Sequence, residues 1–177
     1  MSIASQVAGV KYRKFSIGHG DDAVTNTLKI MKNMINSGAQ NYYVRRWAEN
    51  IVSGHNGNDI SKIQMIFAFL VNHTQYLKDT HGIELLRSPE VILHLLEVGE
   101  IPQIDCDDYV LLSLSLLKSI GFPVGMRAVA VKPSGELEHV YGMVFTNKRW
   151  MPLDLTKPQY GLGWEYSSPA RVLSVEV

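Results

Sequence analysis

Apolar residues recur every third or fourth position up to about residue 122 and in short alternating runs beyond it, and this change of period constrains the fold more than anything else in the chain. A period near 3.6 makes one face of a helix apolar, whereas a period of two makes one face of a strand apolar. The segment "DDAVTNTLKIMKNMINSG" (21–38) opens on aspartates suited to a helix start, spaces Val24, Leu28, Met31 and Ile35 helically, and is expected to stop at Gly38. "NYYVRRWAENIVSG" (41–54) puts Val44, Trp47, Ala48 and Ile51 on one face and predicts a second helix ending at Gly54. A long, central helix is expected over 60–79, capped by Asp59 or Ser61, with Ile63, Phe67, Leu70, Val71 and Leu77 as its stripe. "RSPEVILHLLEVG" (87–99) has a serine cap, proline at the first helical position and a closing glycine. "DDYVLLSLSLLKSIG" (107–121) predicts a last helix, beginning at or just after Cys106, with Leu112, Leu116 and Ile120 four apart.

Beyond residue 122 the runs "VGMRAVAVK", "LEHVYGMVF" and "WMPLDL" are separated by the turns "PSGE" and "TNKR", the pattern of an antiparallel meander, and "ARVLSVEV" offers one more strand. The whole reads as one α+β domain, N-terminal helices packed on an antiparallel sheet, divided into a helical extension (1–58), a core (59–156) and a C-terminal tail or strand (157–177). At 177 residues such a domain buries enough surface to fold without staples.

Seventeen basic residues balance seventeen acidic ones, so a nucleic-acid partner is not expected. The single cysteine forbids an internal disulfide and favours a reducing compartment. No window has the length of a membrane span and the first residues lack a signal-peptide core, so a cytoplasmic protein without a membrane partner is expected.

That single cysteine, Cys106, lies in "IDCDDY" at a predicted helix start, where unpaired backbone amides favour a thiolate. The adjacent aspartates oppose it, so a cationic partner is required, and histidine is the usual one. Of His19, His55, His73, His81, His94 and His139, only His139 sits in a predicted strand, sharing a face with Leu137, Tyr141, Met143 and Phe145. A regular hairpin turning at "TNKR" sets Asp154 directly across from His139, and a slip of one residue would move it to the other face. Nucleophile, base and orienting carboxylate are then all present: Cys106, His139, Asp154.

These three residues, within "DCDDYVLLSLSLLKSIGFPV", "EHVYGMVF" and "WMPLDLT", resemble the transglutaminase-like cysteine enzyme superfamily, and "LVNHTQYLKDTHGIELLRSPEVILHLLEVG" extends the likeness to roughly residues 60–156. The resemblance implies a papain-like core and thiol-dependent amide hydrolysis or acyl transfer on a protein or peptide through a thioester. Small members resembling this one also occur among phage and prophage genes. A non-enzymatic virion or assembly protein that keeps the fold is therefore the alternative, working through assembly partners in the host cytoplasm or the virion. One departure is Ile104, where bacterial and phage-type members often have glycine, so a substrate's approach to that backbone is expected to differ. The resemblance also implies an upstream side chain completing the oxyanion hole, for which Gln103, Asn72 and Gln64 are candidates.

Simpler roles stand beside these. Asp107 and Asp108 suit a helix's first turn, and the same cluster offers hard ligands for a divalent cation. His73, His81 and His94 lack zinc-ligand spacing, so no metal or cofactor is expected. Trp150 suits core packing, whereas Trp164 suits a cleft wall, and the glycine- and proline-rich tail suits a cover or a docking segment.

Overall fold

The computed structural model describes residues 3–7, 10–14, 20–54, 57–78 and 85–177. A β-hairpin, β1 (Ile3–Val7) with β2 (Val10–Lys14), precedes α1 (Gly20–Gln40), α2 (Tyr42–Ile51), α3 (Asp59–His73), the short β3 (Gln75–Tyr76), α4 (Pro89–Glu97), the short β4 (Gln103–Ile104) and α5 (Cys106–Ser119). The sheet strands β5 (Val124–Ala130), β6 (His139–Thr146) and β7 (Arg149–Leu153) follow, then a single 3-10 turn (Pro158–Tyr160) and β8 (Arg171–Glu176).

The helices depart from their expected bounds for local reasons. α1 runs through Gly38 to Gln40, because Gly38 has no positive φ and serves packing: a Cβ there would lie 2.8 Å from Ser115 Oγ of α5. Asn58 caps α3, its side chain accepting from the Ser61 amide at 3.1 Å. That helix ends at His73 rather than near residue 79, since Thr74 turns extended and its hydroxyl donates to the Leu70 carbonyl at 2.7 Å. Leu77, expected on the α3 stripe, is consequently 54% exposed. The N-terminal extension is not wholly helical either, because its first described residues pair as β1 and β2.

The central helix is α5. Every residue from Asp107 to Leu117 is buried, which is the behaviour of a helix enclosed on all sides rather than along one stripe. Helices α1 to α4 pack on it from one side and the sheet from the other. β5, β6 and β7 form the expected antiparallel meander, but β8 crosses back to pair with β5, giving the order β7-β6-β5-β8. A two-residue turn with both φ positive, Asn147 and Lys148, joins β6 to β7 and matches strand twist. Val140 and Val144 face the main core. Val129, Tyr141 and Met143 form a second cluster on the opposite face with Trp150 and Tyr166. Leu137, expected to share that second face, precedes β6 and is buried in the main core instead.

Candidate active site

Cys106 is the first residue of α5, and the helix starts there because Asp105 caps it, its side chain accepting from the Asp108 amide at 3.1 Å. Asp108 has 1% of its side chain exposed and is held by Arg87, through the Arg87 backbone amide at 2.9 Å and Nη1 at 3.3 Å. The same guanidinium donates to the Gln103 carbonyl, so Arg87 joins β4 to the head of α5 and fixes the thiol's position. Asp107 Oδ1 lies 3.8 Å from Cys106 Sγ. Two of the three neighbouring acids are thus helix-start and ion-pair residues.

His139 opens β6, and its Nε2 lies 2.8 Å from Asp154 Oδ2, with 11% and 3% of the two side chains exposed. The register differs from the simple hairpin. Gly142 pairs with Leu153 and Thr146 with Arg149, so continuing the ladder sets Asp154 across from Tyr141, diagonal to His139. The shift is two residues, and an even shift preserves the face. Diagonal neighbours on one face of a sheet remain within reach of long or aromatic side chains, which is why the pair survives. The other carboxylate oxygen, Oδ1, accepts from the Thr156 amide at 2.9 Å and the Thr156 hydroxyl at 2.7 Å, so Asp154 cannot swing away.

Cys106 and His139 come to the same end of the molecule by simple dimensions. The chain turns back at Gly121 (φ 97°) between α5 and β5, and β5 is antiparallel to β6, so α5 and β6 run in the same sense. They touch at Gly142, where a Cβ would lie 2.9 Å from Leu114 Cδ2. Eight residues back along α5 is about 12 Å, and three back along β6 is about 10 Å.

Two tyrosines that sequence reasoning missed complete the surroundings. Tyr166 sets its ring edge-on to His139 at 5.7 Å; burial pushes its phenol up to about 12, and Asp154, Tyr76 and Cys106 add to the shift. Burial also raises the Tyr76 phenol, followed by the charges of Cys106, Asp105 and Asp154. Both phenols therefore sense the cysteine and the aspartate of the His139 pair. Tyr76 comes next to Cys106 because β3 pairs in parallel with β4, Tyr76 against Ile104. Gln64, Asn72 and Gln103 are exposed, as Tyr76 partly is, and Gln103 is tied through its backbone to Arg87. His73 stacks on Phe69 at 4.3 Å and His94 lies 3.6 Å from Glu97, both on the helices. His19, His55 and His81 lie outside the described residues. Among the described residues no group of three His, Cys, Asp or Glu side chains has the arrangement of a metal site, and no helix is long and apolar enough to cross a membrane.

No protein-family model and no curated protein matches this sequence. Solved structures do. A candidate protease from Parabacteroides distasonis superposes with a TM-score of 0.60 at 12% identity, over 99% of this chain and 38% of its own. A candidate cysteine protease from Cytophaga hutchinsonii gives 0.54 at 15% identity, over 81% of this chain and 47% of its own. The chain has their papain-like, transglutaminase-type α+β fold. Legionella pneumophila LapG matches more loosely, at a TM-score of 0.46 and 13% identity, over 81% of this chain and 83% of its own. This chain spans less than half the length of the first two. Within the papain-like fold, the thiol at the head of the central helix and the histidine at the head of a sheet strand are elements the sequence had singled out.

Proposed function

We propose that the protein cleaves or transfers amide acyl groups on a protein or peptide, with Cys106 as nucleophile, His139 as base and acid, and Asp154 as the orienting carboxylate. The observation that carries this reading is the part-buried hydrogen bond between His139 Nε2 and Asp154 Oδ2 at 2.8 Å. With Nε2–H donated to the carboxylate, the neutral ring keeps its lone pair on Nδ1, the nitrogen left to accept the thiol proton. His139 is the first residue of its strand, at the end of the sheet, where the ring can turn toward the head of α5. The tyrosines that sense both Cys106 and Asp154 support the same placement.

In this reading the thiol proton passes to Nδ1 and sulfur attacks the carbonyl carbon. Asp154 stabilises the imidazolium so formed. Collapse of the tetrahedral species breaks the C–N bond as Nδ1–H protonates the departing amine, leaving a thioester. Water or an amine then attacks, giving its proton to Nδ1, and the C–S bond breaks to restore the thiolate. Amides at the start of α5 are suited to hold the oxyanion. The upstream residue beside Cys106 is Tyr76, which takes over that part from Gln103, Asn72 and Gln64.

Alkylation by iodoacetamide tests the assignment. Cys106 in the unaltered chain should label rapidly near neutral pH, and His139→Ala should slow labelling toward an ordinary thiol, by up to ~30-fold for a thiol of pKa about 8.5 at pH about 7. Labelling at an ordinary rate, unchanged by His139→Ala, overturns it and leaves the non-enzymatic assembly role.

A further inference from the structure

From the end of the 3-10 turn toward β8, the chain lays three aromatic rings in a row toward His139. Tyr160 stacks on Trp164 at 4.5 Å, Trp164 meets Tyr166 edge-on at 4.8 Å, and Tyr166 meets His139 at 5.7 Å. Tyr160 is 58% exposed, while Trp164 and Tyr166 are half-buried, so the row runs from solvent to the candidate base. The intervening residue, Glu165, anchors it. Its carboxylate accepts from Tyr141 Oη at 2.6 Å and from Arg127, itself bound to Ser174 Oγ of β8 at 3.1 Å. Glu138, next to His139, is likewise bound by Lys132.

We propose that Tyr160, Trp164 and Tyr166 are the recognition surface for an aromatic side chain of the peptide whose amide is presented to Cys106 and His139. The inference rests on the enzyme reading above and supplies its substrate class. The surface commits to that side chain for two reasons. Its acids Glu165 and Glu138 are paired with Arg127 and Lys132, Tyr141 adding a hydrogen bond to Glu165, so neither is a spare carboxylate to select lysine or arginine. What it does offer is ring faces and edges, which pair best with another ring in offset or edge-on geometry. The anchoring of Glu165 from both β5 and β6 holds the row in place before a peptide arrives, which reduces the ordering cost of binding.

The test separates this surface from the thiol chemistry. Acetylated, amidated tetrapeptides Ala-Phe-Ala-Ala, Ala-Gly-Ala-Ala and Ala-Lys-Ala-Ala are titrated against the Cys106→Ala chain by NMR, and iodoacetamide labelling is measured separately on the unaltered chain. The phenylalanine peptide should bind ~10-fold tighter than the glycine one, with the preference falling to within about twofold in Trp164→Ala and surviving in Trp164→Phe. Tyr160→Ala, at an exposed position, should lower the preference ~3-fold. Equal binding of the phenylalanine and glycine peptides, tighter binding of the lysine peptide, or a preference untouched by both Trp164→Ala and Tyr160→Ala overturns the proposal. Fast, His139-dependent labelling without a phenylalanine preference removes the surface and keeps the enzyme. Ordinary labelling with the preference intact removes the enzyme and keeps the surface as a peptide-binding one.

Discussion

Replacing Asp154 by asparagine changes one charge and almost no volume, and the structure dictates which way the new amide points. The Thr156 backbone amide, 2.9 Å from Oδ1, can only donate, so the asparagine oxygen must take that position and the NH₂ group must face His139 Nε2. An NH₂ group there accepts no proton. The imidazole must present a bare Nε2 to it and carry its own proton on Nδ1, the tautomer that cannot deprotonate Cys106. The lost attraction between carboxylate and imidazolium is about 4 kcal/mol for charge centres roughly 4 Å apart at an effective dielectric near 20. Turnover should fall ~10³-fold, since each 1.36 kcal/mol is about tenfold in rate. Alkylation has a lower ceiling, because an unassisted thiol is still about 3% ionised at pH about 7, so iodoacetamide labelling should slow by at most ~30-fold. Asp154→Ala should alkylate faster than Asp154→Asn, since it leaves the ring free to choose its tautomer. Equal labelling of the unaltered chain and Asp154→Asn from pH about 5 to 8 refutes the claim that the carboxylate acts on Cys106 through the imidazole.

Two further outcomes follow from packing and burial. Gly38→Ala adds a Cβ 2.8 Å from Ser115 Oγ and 3.0 Å from Pro89 Cγ; the overpacking cost of about 1–3 kcal/mol should exceed the ~1 kcal/mol gained in helix propensity. Urea midpoints should show a loss that Ser115→Ala partly recovers, and a more stable Gly38→Ala would show that α1 and α5 are not in close contact there. At alkaline pH the Tyr166 phenol, pushed up to about 12, and the Tyr141 phenol, raised further, favour the folded state while neutral. That stabilisation is complete below the ordinary phenol value near 10 and disappears as pH rises through about 12. Phenolate absorbance should show Tyr166→Phe losing a late-titrating group, and a single transition of all eight tyrosines near the ordinary value would contradict it.

How much of this was legible without coordinates depended on the range of the interaction. Local periods fixed α1, α2, α4 and α5 to within a few residues, and the turn residues Asn147 and Lys148 fixed the β6–β7 hairpin. The pairing of His139 with Asp154 was found through a register wrong by two, and it held because face depends on parity alone. What failed was non-local. Nothing in "HTQYLKD" ends a helix by composition; Thr74 ends it by binding Leu70 and the Tyr109 hydroxyl, and the chain there is drawn into pairing with β4. For the same reason Arg87, Tyr76 and Tyr166 carried no sequence signal, since each acquires its place from a partner many residues away.

Ile104, the one departure noted in the sequence resemblance, can be read once its side chain is located. It is fully buried, and its carbonyl accepts from the Leu77 amide at 2.9 Å in the β3–β4 ladder. That carbonyl bond is a backbone bond that any residue at 104 could make, so what isoleucine adds over glycine is its side chain. The isoleucine side chain points into the main core, away from the solvent that must reach Cys106. Its effect on the site is therefore indirect. By pairing with β3 it brings Tyr76 toward the start of α5, where burial and then the charges of Cys106 and Asp105 raise the phenol. Ile104 and Tyr76 are thus two parts of one β3–β4 ladder, and the proposal of Tyr76 as the oxyanion donor in place of Gln64, Asn72 or Gln103 rests on that pairing.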